Sequence, residues 1–369
     1  MILEPYLCLP KSLALRSEYT MPRTREKGKV LFVHSSLQSF VKSDLEVLEK
    51  HFDVRTLKTK TFYIIGKGSD PLIFLRLLKG VLWADVVFCW FASTNAFFSV
   101  VFSFFLRKKT LVVVGGFDAA YVPEIGYGIF VNRWRRVLTN IAYRRTDKIL
   151  VVDLSLKKDI LRNSHLDIGN KIVVVPTGYD SAKWKPSDGE RENLVLTVAG
   201  VKWSNVRRKG LETFVKAAKY LPNVRFVLIG KHYDDSAQHL KSISTSNVHF
   251  TGFISENELI RFYQRAKVYC QLSRYEGLPN SLCEAMLCSC IPVGTRYCGI
   301  PTAIGDIGFY VPYGDIEATV AGIKKALNTN EKRREAARER IKKNFTVQRR
   351  EKELMNHIKE LIKRSKVSD

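Results

Sequence analysis

Acidic residues are scarce in this sequence of 369 residues, which has 36 Asp and Glu against 60 Lys and Arg. The resulting net charge of +24 indicates an anionic partner without identifying it, because nucleic acid, anionic lipid and phosphorylated substrates all attract a basic surface. A chain of this length is expected to form about two domains, which excludes a small scaffold stapled by disulfides. The hydrophobic fraction of 46% excludes wholesale disorder.

Paired metal-binding cysteines are also missing. Five of the seven cysteines lie between Cys270 and Cys298, but the stretch has no Cys-x-x-Cys pair and no histidine. Cys270 lies in an apolar run, where a reduced cysteine behaves as a small hydrophobic residue. We therefore expect a reducing, cytoplasmic compartment and no zinc site.

The sequence offers little that could enter a membrane. Residues 1–24 lack a basic segment followed by a sustained apolar core, so we expect a loose extension and not a signal peptide. Residues 88–106 form a run of 19 residues without a charge, close to the length of a membrane span. A polar break at 93–95 favours a buried strand and its covering helix. A surface contact with the membrane stays as an alternative, through Phe97, Phe98, Phe102, Phe104 or Phe105.

Apolar strand-like runs alternate with amphipathic stretches, which is typical of parallel sheets covered by helices on both faces. Residues 176–191, rich in Pro, Gly and charges, separate two series and form a candidate linker. The sequence therefore predicts two doubly wound α/β domains with a cleft at the carboxyl ends of their strands. The predicted strands are 29–33, 86–90, 110–114, 148–152, 171–175, 194–198, 224–229, 248–250, 267–272, 291–293 and 309–311.

The most informative segment, residues 273–286, follows a predicted strand. Pro279 and Asn280 are typical helix-start residues, which places Glu276 in the preceding loop and Glu284 about one turn into the helix. The free amides at such a helix start form an anion site. Two carboxylates beside it could accept hydroxyl hydrogen bonds from a sugar and a ribose. The alternative for each glutamate alone is a helix-start charge on a solvated face.

This segment resembles the E-x7-E motif of the retaining glycosyltransferases of family GT4, because seven residues separate Glu276 from Glu284. Four other segments resemble family motifs in the same order, namely 176–180, Lys209-Gly210, 251–253 and 290–293. The resemblance implies the GT-B fold, in which two Rossmann-like domains face a central cleft. It also implies an N-terminal acceptor domain at 25–185, joined by a C-terminal helix at 345–369, and a donor domain at 186–344.

By this resemblance, Lys209 corresponds to the lysine that binds the donor diphosphate and stabilises the leaving group. A fixed ammonium group at that place would favour the transition state, since negative charge develops on the departing phosphate. The family's second phosphate cation is not assigned, because no arginine directly follows Gly200. The candidates are Lys202, Arg207 and Arg208.

The resemblance also assigns the two glutamates. Glu276 corresponds to the residue that holds donor-sugar hydroxyls, and Glu284 to the one that holds the nucleotide ribose. The sequence contains no Asp-x-Asp triplet, so we expect no catalytic metal and no cofactor. Further donor contacts are expected at the helix start, from Gly277, Leu278, Asn280, Ser281 and Leu282. The backbone around Lys231 and Phe253 is expected to contact the base of the nucleotide.

On the acceptor side, His34 and Ser35 follow the first predicted strand, and Asp118 follows the third. Asp118 is expected to hydrogen-bond the transferred sugar or the acceptor, with a simple turn aspartate as the alternative. Tyr127 lies between two glycines in a segment that lacks the pattern of a dinucleotide fingerprint, so we expect a loop near the acceptor mouth.

The sequence therefore predicts a glycosyltransferase that uses a nucleotide sugar and a glycan or lipid-linked acceptor. Basic segments at 132–148 and 331–366 suit an anionic surface at the inner face of the membrane. A nucleic-acid-binding protein is the alternative from another class, but no binding module or basic face interleaved with stacking aromatics is visible, and no nucleic acid is expected. A nucleotide-sugar epimerase or an inactive partner with the same fold is a third interpretation.

Overall fold

The structure is a computed structural model that describes residues 27–37, 39–59 and 72–366. The expected loose extension at residues 1–24 lies outside these ranges. The strands of the described residues are β1 (Lys29–His34), β2 (Asp53–Lys58), β3 (Val86–Trp90), β4 (Lys109–Val114), β5 (Lys148–Val151), β6 (Ile172–Val174), β7 (Glu192–Val198), β8 (Arg225–Ile229), β9 (Val248–Gly252), β10 (Ala266–Gln271), β11 (Ile291–Gly294) and β12 (Phe309–Tyr310).

The helices connect these strands and cover the two sheets. They are α1 (Ser39–His51), α2 (Leu72–Trp83), α3 (Thr94–Phe105), α4 (Arg133–Arg145), α5 (Leu154–Ser164), α6 (Trp203–Arg208), α7 (Leu211–Ala217), α8 (Ser236–Ser242), α9 (Glu256–Arg265), α10 (Asn280–Leu287), α11 (Ile300–Ile304), α12 (Ile316–Leu327), α13 (Glu331–Asn344) and α14 (Val347–Lys366).

The two sheets are parallel and doubly wound, as the sequence predicts. The first has the order β2-β1-β3-β4-β5-β6, and the second has the order β12-β11-β10-β7-β8-β9. Strand order reverses between β1 and β3 in the first sheet and between β7 and β10 in the second. Ligands of such sheets bind at the carboxyl ends beside the reversal point, so the loops after β7 and β10 are where a site is expected.

All eleven predicted strands are present, with small differences at their ends. The sequence prediction missed only β2 among the strands of the described residues. Its sequence Asp-Val-Arg-Thr-Leu-Lys is mostly exposed, with Leu57 as its buried residue, because β2 is the edge strand of the first sheet. An edge strand needs no continuous apolar run, and this one therefore gives no strong pattern.

The run at 88–106 divides as expected into a buried strand, β3, and a covering helix, α3. None of the helices formed by the described residues combines the length and the apolar character that a bilayer crossing requires.

The basic C-terminal segment forms two helices that pack on different sheets. Helix α13 contacts α10 and β11, whereas α14 contacts α1, β3 and β4. The chain thus returns to the first sheet after Asn344, and the domain boundary at 185/186 stays a prediction. Several arginines of this segment donate to backbone carbonyls of the scaffold: Arg334 to Lys267, Arg338 to Ser181, and Arg340 to Ala303. Part of the positive charge therefore has a structural role.

A buried ion pair holds α14 against the first sheet. The guanidinium of Arg350 donates to both carboxylate oxygens of Asp44, at 3.0 and 2.7 Å, and also to the carbonyl of Val175. The indole of Trp90 donates to the same carboxylate at 3.0 Å. Because Asp44 and Arg350 are 2% and 3% exposed, removal of the negative charge would leave a buried cation without its partner.

We therefore expect Asp44→Asn to lower the free energy of unfolding by about 2 kcal/mol, the scale of charge-assisted hydrogen bonds that are lost in a buried site. Urea unfolding of the variant and the parent chain measures this difference. Glu46→Gln, on the same helix but in an exposed pair with Lys42, is the matched control and should change stability by less than about 0.5 kcal/mol. Equal stability of the Asp44 and Glu46 variants would contradict the interpretation.

Candidate active site

The candidate site is built around Glu276, in the loop between β10 and α10 at the reversal point of the second sheet. Its Oε1 accepts a hydrogen bond from the ammonium of Lys209 at 2.8 Å and forms a salt bridge with the guanidinium of Arg208 at 3.0 Å. It also accepts from the side-chain amide of Gln271 at 3.2 Å and from the hydroxyl of Ser273 at 3.1 Å. Three hydrogen bonds and one salt bridge thus converge on one carboxylate oxygen.

The charges of this cluster are largely buried together, since the side chains of Arg208, Lys209 and Glu276 are 12%, 17% and 14% exposed. Burial alone would raise the pKa of Glu276, but the positive charges of Arg208 and Lys209 and the hydrogen bonds from Lys209 and Ser273 outweigh it and lower the pKa to about 2. Burial lowers the pKa of Lys209, while Glu276 opposes that effect. The carboxylate is therefore ionised at neutral pH, and the two cations it pairs with contact the loop that leads into α10.

The backbone loops of the two sheets are in direct contact at this point. A side chain on Gly277 would bring its Cβ to 2.2 Å from the carbonyl oxygen of Gly115, so only glycine fits there. Gly116, which faces Gly277, has a φ of +144°, a conformation that favours glycine. The first amides of α10 have no acceptor within the helix, and no side chain caps them. The site therefore lies between the loops after β4 and after β10.

Asp118 stabilises the loop after β4. Its Oδ1 accepts from the amides of Gly115 and Gly116 at 3.1 and 2.9 Å, and its Oδ2 accepts from the amide of Ala92 at 2.9 Å. The side chain is 2% exposed, and burial raises its pKa. Both carboxylate oxygens are thus occupied by backbone donors. The geometry supports a positioning role, closer to the turn alternative than to direct contact with a sugar.

Tyr127 of the first domain contacts the cation cluster. The guanidinium of Arg208 lies 5.0 Å from the centre of its ring, and the ring of Tyr275 lies 5.7 Å away. The hydroxyl of Tyr275 donates to Asp159 of α5 at 2.7 Å, and both residues are buried. These contacts join the two domains directly beside Glu276.

The side chain of Asn280 also joins the domains, whereas the sequence predicts a contact with the donor. Its Oδ1 accepts from the hydroxyl of Tyr179 at 2.7 Å and from the hydroxyl of Thr177 at 3.3 Å. Both donors belong to the 176–180 segment after β6. The Asn280 side chain therefore fixes the start of α10 to the linker, and its backbone amide is the group left for an anion.

Glu284 lies apart from the Glu276 cluster. Its side chain is 7% exposed and borders a cavity of about 370 Å³ between α10, α1 and the linker, together with Tyr179, Lys183 and Glu256. Burial raises the pKa of Glu284 to about 7; the charge of Lys183 opposes this rise, and Glu256 adds to it. A partly protonated carboxyl that borders a polar cavity can accept or donate hydrogen bonds with ligand hydroxyls.

This raised pKa predicts a pH dependence of stability. The folded state holds the Glu284 proton more tightly than the unfolded state, whose pKa is near 4.5. Its favourable contribution is complete below about pH 4.5 and is lost as the pH rises through about 7. As the pH rises from about 4.5 to about 7, we expect the free energy of unfolding of Glu284→Gln to rise by up to about 3 kcal/mol relative to that of the parent chain. Urea unfolding at several pH values measures the difference, and a difference that does not vary with pH would contradict it.

Other predicted donor residues lie on the surface without contact to the Glu276 cluster in the part of the chain that the structure describes. Lys202 and Arg207 are exposed at the two ends of α6, and Lys231 lies 5.5 Å from the ring of Tyr233. Phe253 is 79% exposed. Of the predicted cations, the structure brings Lys209 and Arg208 to Glu276.

The remaining predicted residues are placed as follows. Gly277 and Leu278 are buried beside the contact of the two loops, Ser281 is half-buried, and Leu282 belongs to the core, so that its backbone alone can face a ligand. His34 is 4% exposed at the end of β1, and its pKa is lowered by burial and by Lys58. Ser35 is half-buried.

Sequence reasoning missed the polar neighbours of Glu276. Gln271 ends β10 and Ser273 follows it, both within five residues of the glutamate. Their position at a strand's carboxyl end is a signal that the sequence did contain. Tyr275 and Tyr179 could not have been found in this way, because each acts through a residue more than 100 positions distant in the chain.

Comparison with known proteins matches residues 180–344 to the family described as glycosyl transferases group 1. One of the subunits of phosphatidylinositol N-acetylglucosaminyltransferase in Arabidopsis thaliana is 24% identical over 189 residues, 49% of this chain and 42% of that protein. MMP alpha-(1->4)-mannosyltransferase of Mycolicibacterium hassiacum is 27% identical over 188 residues, 49% of this chain and 43% of that protein. The alignments thus span less than half the length of these curated relatives.

Solved structures are similar over most of the chain. Anabaena Alr3699/HepE in complex with UDP superposes with a TM-score of 0.72 at 14% identity, covering 90% of this chain and all of that one. Sucrose-phosphate synthase from Thermosynechococcus elongatus has a TM-score of 0.71 at 16% identity, over 91% and 99% of the two chains. The predicted GT-B fold is confirmed, and residues 180–344 match the family of group 1 glycosyltransferases.

Proposed function

We propose that this protein is a retaining glycosyltransferase that moves a sugar from a nucleoside diphosphate sugar to a glycan or lipid-linked acceptor. The observation that carries the proposal is the cluster of Glu276, Lys209 and Arg208 at the reversal point of the second sheet, next to the start of α10. The curated relatives named above include enzymes whose names specify transfer of N-acetylglucosamine or mannose.

In the proposed mechanism, the donor diphosphate lies at the start of α10. The amides of this helix start and the ammonium of Lys209 are fixed before the reaction, and negative charge grows on the phosphate as the bond to the sugar breaks. Lys209 and Arg208 thus stabilise the leaving group more than the bound donor. The donor sugar lies beside Glu276, and the ribose lies towards Glu284.

The state of Glu276 supports retention without a covalent intermediate. One oxygen of its carboxylate already accepts three hydrogen bonds and pairs with Arg208, and the pKa of Glu276 is lowered to about 2, so it is a weak nucleophile. Attack by this oxygen would require the loss of those bonds. The acceptor hydroxyl therefore attacks from the face that the leaving group vacates, and a phosphate oxygen of the leaving group accepts its proton.

We also propose that no divalent metal takes part, because Lys209, Arg208 and the helix-start amides supply the positive charge that a metal would otherwise supply. EDTA is expected to leave the transfer rate unchanged to within about twofold of the untreated rate. The rate of nucleotide release, measured with and without EDTA and after re-addition of Mg²⁺ or Mn²⁺, tests this expectation. Loss of activity with EDTA that is restored by either metal would contradict it.

The experiment that tests the proposed function uses UDP, GDP and ADP sugars with mixed glycan and lipid acceptors. Nucleotide release identifies the donor, and NMR of the glycosylated product gives its anomeric configuration. We expect one donor class to react with its anomeric configuration preserved. Inversion would contradict the mechanism. Conversion of the nucleotide sugar into an epimer without transfer would support the epimerase interpretation and contradict the proposed function.

A further inference from the structure

Helices α2, α3 and α4 form one layer on the outer face of the first sheet. Each belongs to a crossover that runs in the same direction along the sheet, and right-handed crossovers of one direction lie on one face. Helix α3 packs against α2 on one side and α4 on the other. Helices α1 and α14 pack against each other and cover the opposite face. Helices α1 and α14 therefore do not cover the outer surface of this layer.

This layer carries large apolar side chains that no other described part of the chain covers. On α4, Trp134, Val137 and Ile141 are 82%, 50% and 38% exposed, and their spacing places them on one stripe of the helix. On α3, Phe105 is 76% exposed and Phe104 is 48% exposed. On α2, the exposed apolar side chains include Leu75, Leu78 and Leu82.

The same layer is strongly basic. Helix α4 contains five arginines and no acidic residue, and Arg133, Arg135 and Arg144 are exposed on both sides of the apolar stripe. At the end of α3, a cavity of about 380 Å³ is lined by Arg145, Arg107, Lys108 and Lys109, with Asp147 paired to Lys109. The guanidinium of Arg145 lies 4.3 Å from the centre of the Phe104 ring. Cationic and apolar groups thus alternate on one surface.

We propose that this layer, named here the α2–α4 face, binds the surface of an anionic lipid bilayer. An exposed apolar stripe bordered by arginines is the pattern of a helix that lies in the plane of the membrane interface. Nucleic acid explains the arginines but not the aliphatic leucine, valine and isoleucine side chains, which have no ring to stack on a base. A second copy of the chain would bring two basic faces together and is disfavoured by their repulsion.

Binding of the α2–α4 face to a bilayer would also place the mouth of the cleft near the membrane. Helix α4 follows the segment that contains Tyr127, whose ring contacts Arg208 and Tyr275 of the candidate site. The start of α4, with Trp134 on its exposed stripe, therefore lies near the mouth of the cleft. Docking would hold that mouth against the bilayer, where a lipid acceptor is available. The membrane proposal is argued from the exposed residues of α2, α3 and α4 and does not depend on the proposed sugar transfer.

Flotation with vesicles of phosphatidylcholine, with and without phosphatidylglycerol, tests the proposal. The parent chain should float with anionic vesicles, less so as salt rises, and Trp134 fluorescence should be quenched by brominated lipid. The apolar variant F105A/W134A/V137A should bind at least about tenfold more weakly. The charge variant R133Q/R135Q/R144Q should bind about 10²-fold more weakly, at about fivefold per arginine.

A control variant carries K219Q/Y220A, an adjacent basic and aromatic pair that is exposed on the second domain. It should float like the parent chain. Failure of the parent chain to float, flotation of the face variants equal to that of the parent, or tight binding to a DNA duplex in place of vesicles would overturn the proposal. Donor nucleotide binding is measured on the same proteins without vesicles, so that failure of docking and failure of the proposed transfer give different results.

Discussion

Glu276→Ala is expected to lower kcat/KM for sugar transfer by about 10³-fold or more, since it removes both the contact with the donor sugar and the group that positions Lys209. It should also lower the free energy of unfolding by about 3–5 kcal/mol, because Arg208 and Lys209 would lose the carboxylate that pairs with them inside the protein. Steady-state kinetics and urea unfolding measure the two effects.

Glu276→Gln separates the two effects. The amide keeps the shape of the side chain but loses its charge, so the variant should fold while transfer stays strongly reduced. Glu212→Ala is the matched control, since Glu212 forms an exposed pair with Lys216 on α7 of the same domain. It should change kcat/KM by less than about twofold and stability by less than about 1 kcal/mol. Parent-like activity of Glu276→Gln would contradict the role of the carboxylate.

Lys209→Met is expected to lower kcat by about 10²–10³-fold, the range for loss of a fixed group that stabilises developing charge. The apolar stem of methionine fills the buried space, and Arg208 remains to pair with Glu276, so the fold should be preserved. Circular dichroism checks the fold, and the rate of nucleotide release gives kcat.

Lys216→Met is the control for this substitution, because Lys216 is an exposed lysine of the same domain outside the Glu276 cluster. If Lys209→Met raised KM and left kcat unchanged, Lys209 would bind the donor and the transition state equally, and its proposed role with the leaving group would be wrong.

The two-domain fold could be predicted from the sequence because buried parallel strands are apolar along their whole length. Strands such as β3 and β4 cannot be mistaken for exposed segments. The edge strand β2 was missed for the opposite reason: five of its six residues avoid full burial, so its sequence lacks the pattern. The return of α14 to the first sheet was suggested only by the family resemblance.

The candidate site was predictable where function is local in sequence, and not where it depends on distant contacts. Glu276 and the helix start of α10 lie within one segment, so spacing and helix-start chemistry indicate them together. Asp118 appeared as a candidate ligand for a sugar, because its sequence position does not show that three backbone amides occupy its carboxylate.

The sequence also could not show which positive charges have a structural role and which are exposed. Arg334, Arg338 and Arg340 of α13 donate to backbone carbonyls and Arg350 of α14 donates to Asp44. The α4 residues Arg133, Arg135 and Arg144 are instead exposed. Both kinds count equally towards the total of +24. Only the three-dimensional placement shows which positive charges stay available for a phosphate or a lipid surface.

The most direct test of the central claim is calorimetric titration of the parent chain, Lys209→Met and Lys216→Met with UDP, GDP and ADP. We expect at least one of these nucleotides to bind the parent chain and Lys216→Met with equal affinity. The same nucleotide should bind Lys209→Met at least about tenfold more weakly, since a charge-assisted contact with the diphosphate is lost. No binding of any of the three to the parent chain, or equal binding to all three proteins, would contradict the claim that Lys209 holds the diphosphate of a nucleotide donor.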